Sequence, residues 1–335
     1  MAAGLDRRGF LVGALGAGGA VLLLGACGGD DATTGDGGGG EGGGGASGDL
    51  TTAKVGVLPI TDVAPLFLGI DQGTFADNGL EIETTFAAGG AAILPSVESG
   101  EFDVGFSNVV SLLLLQSRGG SFKILAGTGR SAVEGQTDFH EMIVLDDSDL
   151  RSMADLGGKK VAVNTLKNAL EIVTRASVEK AGGDQESIQF AEIPFPDMAG
   201  ALQSGQVDAV LLNEPFKTVL QKDGGVRTIG QPFVDVAPGE ILAYYFVEAD
   251  KVGDPIATGF AAGMTDANSY AAGHEDEVRG IIPDYTDVTP EIAADVALPK
   301  FVEDSVPRSS LEVYADLMVT YGLVEETPDI DALFV

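Results

Sequence analysis

Cysteine and histidine, two side chains often used in covalent and acid–base chemistry, are scarce in this sequence of 335 residues. The chain holds one cysteine, Cys27, and two histidines, His140 and His274. No Ser-His-Asp order, HExxH or CxxC spacing accompanies them, so the sequence offers neither a nucleophile with its base nor a metal-ligand set. The residues therefore favour binding over catalysis, and we expect no catalytic residue, no metal and no cofactor.

Two carboxylates occupy equivalent positions in a repeated motif. The motif reads SGEFDV at 99–104 and SGQVDA at 204–209, with an asparagine at the same offset after each, Asn108 and Asn213. Asp103 and Asp208 follow a Ser-Gly turn at the start of a predicted strand, away from the strand's carboxyl end. We therefore expect structural hydrogen bonds from these two aspartates rather than a catalytic pair.

The motif belongs to two longer units that resemble each other. Lys54-Val55-Gly56-Val57 has a counterpart in Lys160-Val161-Ala162-Val163, shifted by 106 positions. Each unit predicts strand, helix, strand, helix, strand. Residues 80–86 alternate apolar and polar as a half-buried strand does, and Gly182-Gly183 ends a helical pattern where φ > 0 is needed.

The remainder of the chain has a different pattern. After Val236 only Ile241 to Val247 predicts a strand, and the rest is helical. Asp254-Pro255 and Thr289-Pro290 each place a capping residue before a proline, and Ser310 is predicted to cap a further helix. We expect this region to cross back and pack on the first unit.

Strands that alternate with helices predict parallel βαβ units, so the fold class is α/β. Two such lobes would place the carboxyl ends of their strands, and the helix starts that follow, around one cleft. In open α/β sheets, ligands bind outside those ends.

The amino terminus predicts export. Arg7-Arg8 begins an apolar run from Phe10 to Leu24 that ends in Leu24-Gly25-Ala26-Cys27, an arrangement that resembles a twin-arginine signal with a bacterial lipobox. The run is about 15 residues, against roughly 20 for a membrane span. Residues 1–26 are predicted to be a signal peptide, and Cys27 the lipidated first residue of an exported protein on the outer face of the cell membrane.

Residues 27–49 are rich in glycine and hold no apolar residue larger than alanine after Cys27, which predicts a flexible tether. The net charge of the chain is −32. A surface this acidic repels phosphate backbones, so nucleic acid is excluded as a partner. The acidity itself is most simply explained by solubility.

Several motifs together resemble the solute-binding proteins of ABC importers for nitrate, sulfonates, taurine and thiamine pyrimidine precursors. The resemblance covers about Ala53 to Tyr321. It depends on the order and spacing of six stretches: APLF at 64–67, GTF at 73–75, GL at 79–80, SGEFDVG at 99–105, LGGKKVAV at 156–163 and ALQSGQVDA at 201–209, which leads to Glu214-Pro215-Phe216.

The resemblance implies a two-lobed periplasmic binding protein fold of type II with two crossing hinge segments. These segments would lie near Met142 to Asp146 and Pro238 to Ala243. Lobe I would comprise residues 50–142 and 243–335, and lobe II residues 143–242. The implied partners are a small-molecule solute, an ABC permease with its ATPase, and the membrane through lipid on Cys27, with the binding protein itself a monomer.

The resemblance also implies a set of cleft residues at turns after strands and at helix starts. Lobe I would supply Thr61, Asp62, Gly89, Gly90, Ser107 and Asn108, and lobe II Asn164, Thr165, Asn213 and Glu214, while Tyr244, or its neighbour Tyr245, would stack on a planar ligand. An alternative role remains for Asn164, Thr165 and Asn213, which could simply cap helices. The Gly-Gly pairs could likewise be ordinary turns.

The charged residues near the predicted cleft indicate which charge the solute carries. An unpaired buried anion costs several kcal/mol, and helix N-termini return about 0.3–2 kcal/mol each. The candidate loops offer Lys167 and Arg130 against Asp62 and Glu214. This balance favours a neutral, zwitterionic or amine-bearing solute, such as an aminopyrimidine, over a sulfonate or nitrate.

Two other classes of protein remain as alternatives. Enzymes of pyrimidine and menaquinone pathways share the fold but need histidine chemistry, for which only His140, just before the first crossing, could approach the cleft. A ligand-sensing lipoprotein would instead pass its bound state to a separate receptor.

Overall fold

The computed structural model describes residues 50–301 and 306–335. The predicted signal peptide, the lipidation site at Cys27 and the tether at 27–49 lie outside these residues.

Two five-stranded mixed sheets form the framework of the described ranges. The first has the order β2-β1-β3-β11-β4 and the second β10-β6-β9-β7-β8, while β5 and β12 pair separately. The strands are β1 (Thr51–Val57), β2 (Leu80–Phe86), β3 (Val104–Asn108), β4 (Phe122–Gly127), β5 (Gly129–Arg130), β6 (His140–Leu145), β7 (Lys160–Val163), β8 (Gln189–Glu192), β9 (Ala209–Asn213), β10 (Val226–Gly230), β11 (Ala243–Glu248) and β12 (Lys300–Phe301).

Helices connect the strands and cover the sheets. They are α1 (Ala64–Asp71), α2 (Thr74–Asp77), α3 (Gly90–Glu98), α4 (Val109–Gln116), α5 (Ala169–Lys180), α6 (Phe195–Gln203), α7 (Phe216–Asp223), α8 (Pro232–Val236), α9 (Pro255–Gly273), α10 (Glu275–Tyr285), α11 (Pro290–Ala293) and α12 (Arg308–Thr320), with 3-10 turns at Thr61–Val63, Met153–Leu156, Ala249–Lys251 and Ile330–Leu333. None of these described helices is long and apolar enough to cross a membrane.

The two predicted units are confirmed, and they form equivalent parts of the two sheets. In the first sheet β1 pairs in parallel with β2 and β3, and in the second β7 pairs in parallel with β8 and β9. The predicted structural role of the repeated aspartates is also confirmed. Asp103 accepts a 2.8 Å hydrogen bond from the Lys54 N–H, and Asp208 accepts the equivalent 2.8 Å bond from the Lys160 N–H.

The chain crosses between the sheets twice, and each crossing delivers an antiparallel strand. Strand β11 inserts between β3 and β4, and β6 inserts between β9 and β10. The two crossings run side by side, since the Ser131 N–H donates to the Glu240 carbonyl at 3.0 Å and the Ser131 hydroxyl to the Ala237 carbonyl at 2.7 Å.

The first crossing differs from the prediction. His140–Leu145 is a strand of the second sheet, paired with β9 over His140 to Ile143, so the crossing precedes His140 instead of occupying Met142 to Asp146. The second crossing lies where it was expected, before β11. We therefore propose that the second lobe begins at about residue 140.

The carboxyl-terminal helices pack mainly on the first sheet, as predicted. Helix α9 contacts α1 and β4, and α10 contacts α1. Thr289 caps α11 by accepting from the Ile292 N–H, as predicted, whereas Asp254 occupies the N-cap position of α9 without a side-chain capping bond. Ser310, however, is buried in the first turn of α12, because that helix already begins after Pro307.

Candidate ligand-binding cleft

A narrow cavity lies between the two sheets, about 330 Å³ in extent including its open mouth. It sits where β1, β3, β7 and β9 end, because the carboxyl ends of parallel strands in both units face the same gap. Its lining combines apolar side chains with a few polar ones: Leu58, Ile60, Asp62, Gly90, Phe106, Asn108, His140, Asn164, Leu170, Phe195, Asn213, Leu242 and Ala243.

The first lobe contributes Asp62, which lies in the 3-10 turn after β1. Its side chain is 1% exposed. One oxygen, Oδ2, accepts a 2.9 Å hydrogen bond from Nδ2 of Asn213 in the other lobe. The other oxygen, Oδ1, and the neighbouring Thr61 hydroxyl are buried and have no hydrogen-bond partner among the described residues.

The environment of Asp62 opposes its negative charge. Burial raises the pKa of the carboxyl above its ordinary value, because a buried charge loses its hydration. His140 and the bond from Asn213 act in the opposite direction, and nearby Asp138 adds to the rise. Asp62 is therefore a carboxylate held in the cavity without a cationic partner strong enough to offset its desolvation.

The second lobe contributes Asn213 and His140, which are register partners at the ends of β9 and β6. The His140 ring packs between Phe139 and Phe233, with centroids 4.4 and 4.6 Å away. Its Nδ1 lies 3.6 Å from Asp138 Oδ1, beyond hydrogen-bond distance. Both His140 Nδ1 and Asn213 Oδ1 are buried without a partner in the described part of the chain.

The other predicted polar residues are partly engaged by the protein. Asn108 caps α4 by accepting from the Ser111 N–H at 3.0 Å, and it also accepts from the Ala169 N–H of the other lobe at 3.3 Å. Asn168 donates to Asn164 Oδ1 at 2.7 Å and to Thr165 Oγ1 at 2.9 Å. Asn108 and Asn164 still line the cavity, whereas Thr165 lies beside it.

The Gly89-Gly90 pair allows a close approach. A Cβ on Gly89 would lie 2.6 Å from Thr165 Cγ2 of the second lobe, and one on Gly90 would lie 2.5 Å from the Ser107 hydroxyl. That hydroxyl is itself buried without a partner among residues 50–301 and 306–335. The lobes are therefore in direct contact at this point.

Glu214 lies outside the cavity lining, in contrast to the prediction. Its buried carboxylate forms a 3.1 Å ion pair with Lys217 and accepts hydrogen bonds from Thr218 and from the Ala297 N–H at 2.9 Å. The sequence places Glu214 directly after Asn213, but it points to the carboxyl-terminal segment instead of the cavity. It joins lobe II to that segment.

Tyr244 also lies outside the lining. Side chains alternate along β11, so Tyr244 points to the opposite face from Ala243, which does line the cavity. Its hydroxyl donates to the Ile241 carbonyl at 3.3 Å. Tyr245 lies on the cavity side, with its ring 5.7 Å from that of Phe106, and burial raises its pKa well above the ordinary value.

Sequence reasoning missed most of the apolar lining. His140, which its place before the first crossing suggested could approach the cleft, does line the cavity. Phe106 and Phe195 come from opposite lobes, and no local pattern distinguishes them from core phenylalanines.

The arrangement is suited to binding. No lysine or arginine lines the cavity within the described residues, and no group of three His, Cys, Asp or Glu there could hold a metal ion. The His140 ring has no hydrogen bond to a hydroxyl in the same ranges, so no nucleophile–base pair is formed.

Two curated proteins of similar sequence are named as binding proteins. The chain is 26% identical over 197 residues to a putative ABC transporter periplasmic binding protein of Brachyspira hyodysenteriae, covering 53% of this chain and 54% of that protein. It is also 26% identical over 146 residues to the formylaminopyrimidine-binding protein of Halalkalibacterium halodurans, covering 44% and 42%. The chain thus spans about half the length of the curated relatives it matches.

Solved structures show the same fold. The alkanesulfonate-binding protein of Xanthomonas axonopodis pv. citri, bound to MOPS, superposes with a TM-score of 0.71 at 16% identity, over 86% of this chain and 99% of that one. The periplasmic nitrate-binding protein of Synechocystis gives a TM-score of 0.69 at 15% identity, over 85% and 84%. The NMT1-like family profile matches residues 46–248. The chain therefore belongs to the NMT1-like family and has the two-lobed type II fold of periplasmic binding proteins.

Proposed function

We propose that this protein is the solute-binding component of an ABC importer. It captures a small organic solute in the cleft between its lobes and delivers it to a membrane permease with its ATPase. The observation that carries the proposal is the cavity itself, where buried polar atoms from both lobes have no partner in the described chain. Buried polar atoms normally find hydrogen-bond partners, so their convergence favours a ligand there.

Contacts across the cleft support a binding cycle with closure. The Thr61 N–H donates to the Glu214 carbonyl at 3.2 Å, and Asn213 bonds Asp62 at 2.9 Å. Within residues 50–301 and 306–335, two crossing segments connect the sheets, a geometry suited to hinge motion. A closed form with a solute inside would present a different surface to the permease than an open one.

The curated relatives are binding proteins, and we propose that this chain also binds without turnover. His140 faces the cavity, as catalysis on this fold would need, but it lacks an adjacent nucleophile among the described residues. We further propose that the protein is exported, monomeric and anchored through lipid on Cys27. The sequence support for that anchor is the lipobox-like run at 24–27.

A thermal-shift screen tests the function. We would use the chain without residues 1–26 and with Cys27→Ser, and add formylaminopyrimidine, taurine, ethanesulfonate or nitrate. A solute at 100 times its Kd should raise the free energy of unfolding by about 2.7 kcal/mol. Conversion of any of these compounds to a product would contradict the proposal in favour of an enzyme.

A further inference from the structure

The polar atoms left free in the cavity indicate which solutes fit. Three of them belong to side chains at most 2% exposed that line it: Asp62 Oδ1, Asn213 Oδ1 and His140 Nδ1. None of the three has a partner among residues 50–301 and 306–335. They come from both lobes, so a ligand that satisfied them would join the lobes.

Two of these atoms are acceptors. A carboxylate accepts hydrogen bonds, and the amide of Asn213 already directs its Nδ2 toward Asp62 Oδ2 at 2.9 Å, which leaves its oxygen without a partner among the described residues. Asp62 and Asn213 therefore form a bonded pair with one free acceptor on each lobe. The complement of two adjacent acceptors is a ligand edge with two N–H donors, such as an amidine or an amino group beside a ring N–H.

The nearest buried cation does not reach the cavity. Lys217 pairs with Glu214 at 3.1 Å and donates to the Asp138 carbonyl at 2.7 Å, and it is absent from the lining. A sulfonate or nitrate in the cavity would thus meet the Asp62 carboxylate with no lysine or arginine from the described lining to balance it. Like charges at short distance in a buried site repel strongly.

The apolar lining completes the description of the ligand. Phe106 of the first lobe and Phe195 of the second both line the cavity, together with aliphatic side chains. The figure of 330 Å³ includes open solvent, and the space inside this lining that a water molecule can reach is about 30 Å³, enough for a water or two. A small ring with polar edges would therefore bind only if the lining side chains moved outward.

From these contacts we propose that the Asp62–Asn213 pair binds the N–H-bearing edge of a small amine, amidine or aminoheterocycle and that the cavity excludes oxyanions. This inference depends on the proposed function, because it assigns the solute class of the same cleft. His140 would contact a second polar group of the ligand.

The experiment compares matched probes by isothermal titration calorimetry. Formylaminopyrimidine and guanidinium carry N–H donors, whereas ethanesulfonate and nitrate are oxyanions, and nitrate matches guanidinium in planar shape. We expect saturable binding of formylaminopyrimidine and weaker binding of guanidinium, with no heat of binding from either anion. This ranking uses the unaltered binding site and needs no variant.

Two isosteric variants then locate the interaction. Asp62→Asn removes the charge within the cavity and should weaken formylaminopyrimidine binding roughly 10- to 100-fold. Asp208→Asn makes the same chemical change at the opposite end of the second sheet and should leave the affinity unchanged. Circular dichroism would verify that both variants are folded.

The outcomes separate this inference from the function. Saturable binding of ethanesulfonate or nitrate in preference to the donors would overturn the inference while leaving the importer function standing. Equal loss of affinity in both variants, or none in Asp62→Asn, would also overturn it. Binding of no probe from either class would count against both proposals.

Discussion

Asp62 combines a cost in stability with the role in recognition that we propose for it. It is buried, one of its oxygens is unpartnered within the described ranges, and burial raises its pKa. Because burial penalises the charged form, the folded protein releases this proton at a higher pH than the unfolded chain does. The stabilising contribution is complete below the unfolded pKa and is lost as pH rises through the folded pKa.

Asp62→Asn should therefore stabilise the free protein at neutral pH, by about 1–2 kcal/mol. The amide can still accept from Asn213 and carries no charge to desolvate. Urea denaturation between pH 5 and 8 would measure the effect, and the difference between variant and wild type should grow as pH rises. A variant less stable than wild type at pH 8 would show that the carboxylate is stabilised in the free protein.

Substitution of a repeated aspartate should change the stability of the protein and leave its solute affinity unchanged. Asp103→Ala removes the acceptor of the Lys54 N–H and should lower the free energy of unfolding by roughly 0.5–1.5 kcal/mol. Solute affinity, measured by calorimetry, should not change, since the bond lies at the amino end of the strands. A change in affinity would indicate that the amino end of these strands is energetically coupled to the cleft.

At the scale of elements, a buried ion pair lies at the start of α7, and its carboxylate also bonds the carboxyl-terminal segment. Glu214 and Lys217 are 0% and 2% exposed, and Glu214 also accepts from the Ala297 N–H. Removing one partner of a buried ion pair leaves an uncompensated buried charge. This costs far more stability than replacing both partners with uncharged residues.

Lys217→Met should thus destabilise the protein by about 3 kcal/mol. The double variant Lys217→Met/Glu214→Gln should recover part of this loss, because the remaining charge is removed. Thermal and urea denaturation of the two single variants and the double variant would provide the coupling free energy. Additive effects would mean that the two side chains do not depend on each other.

The sequence predicted elements with strong local signals. The alternation at 80–86 and the repeated units produced the correct strands, and Gly182 has the positive φ, 84°, expected after α5. The start of β6 was missed because nothing local separates a crossing segment from the strand it enters. The choice between Tyr244 and Tyr245 depends on one position of register, which reverses the face of the sheet.

For the site, the sequence placed several polar residues correctly beside the strand ends. Asp62, Gly90, Asn108, Asn164 and Asn213 line the cavity. It could not show which of their atoms remain free, since this depends on partners from the other lobe, as with Asn213 and Asp62. Burial of His140 between Phe139 and Phe233 is likewise a tertiary property.

At the scale of the whole molecule, Gly89 of one lobe lies against Thr165 of the other in the arrangement that we interpret as closed. Gly89 has an extended backbone, φ −172°, that alanine can adopt, but its Cβ would lie 2.6 Å from Thr165 Cγ2. Each lobe alone would tolerate the extra methyl group, because the clash is between lobes. The methyl group would therefore disfavour only the arrangement in which the lobes are in contact.

Gly89→Ala should therefore weaken solute binding, roughly 10-fold, without loss of stability in the free protein. Thr165→Ser removes the opposing methyl group and keeps the hydroxyl that Asn168 bonds, so the double variant should regain affinity. Gly200→Ala is the control, because nothing lies within 4 Å of its added Cβ. Failure of Thr165→Ser to rescue binding would show that this contact does not limit closure.

The central claim is that a solute in the cleft draws the two lobes together, and pulsed electron paramagnetic resonance can measure this directly. Because Cys27 is the only cysteine, a Cys27→Ser background permits spin labels at Glu81→Cys on the first lobe and Glu186→Cys on the second, both exposed. With saturating formylaminopyrimidine, the account predicts one narrow distance distribution that matches this closed structure, replacing a longer and broader distribution in the free protein. Identical distributions with and without a solute that calorimetry shows to be bound would contradict it.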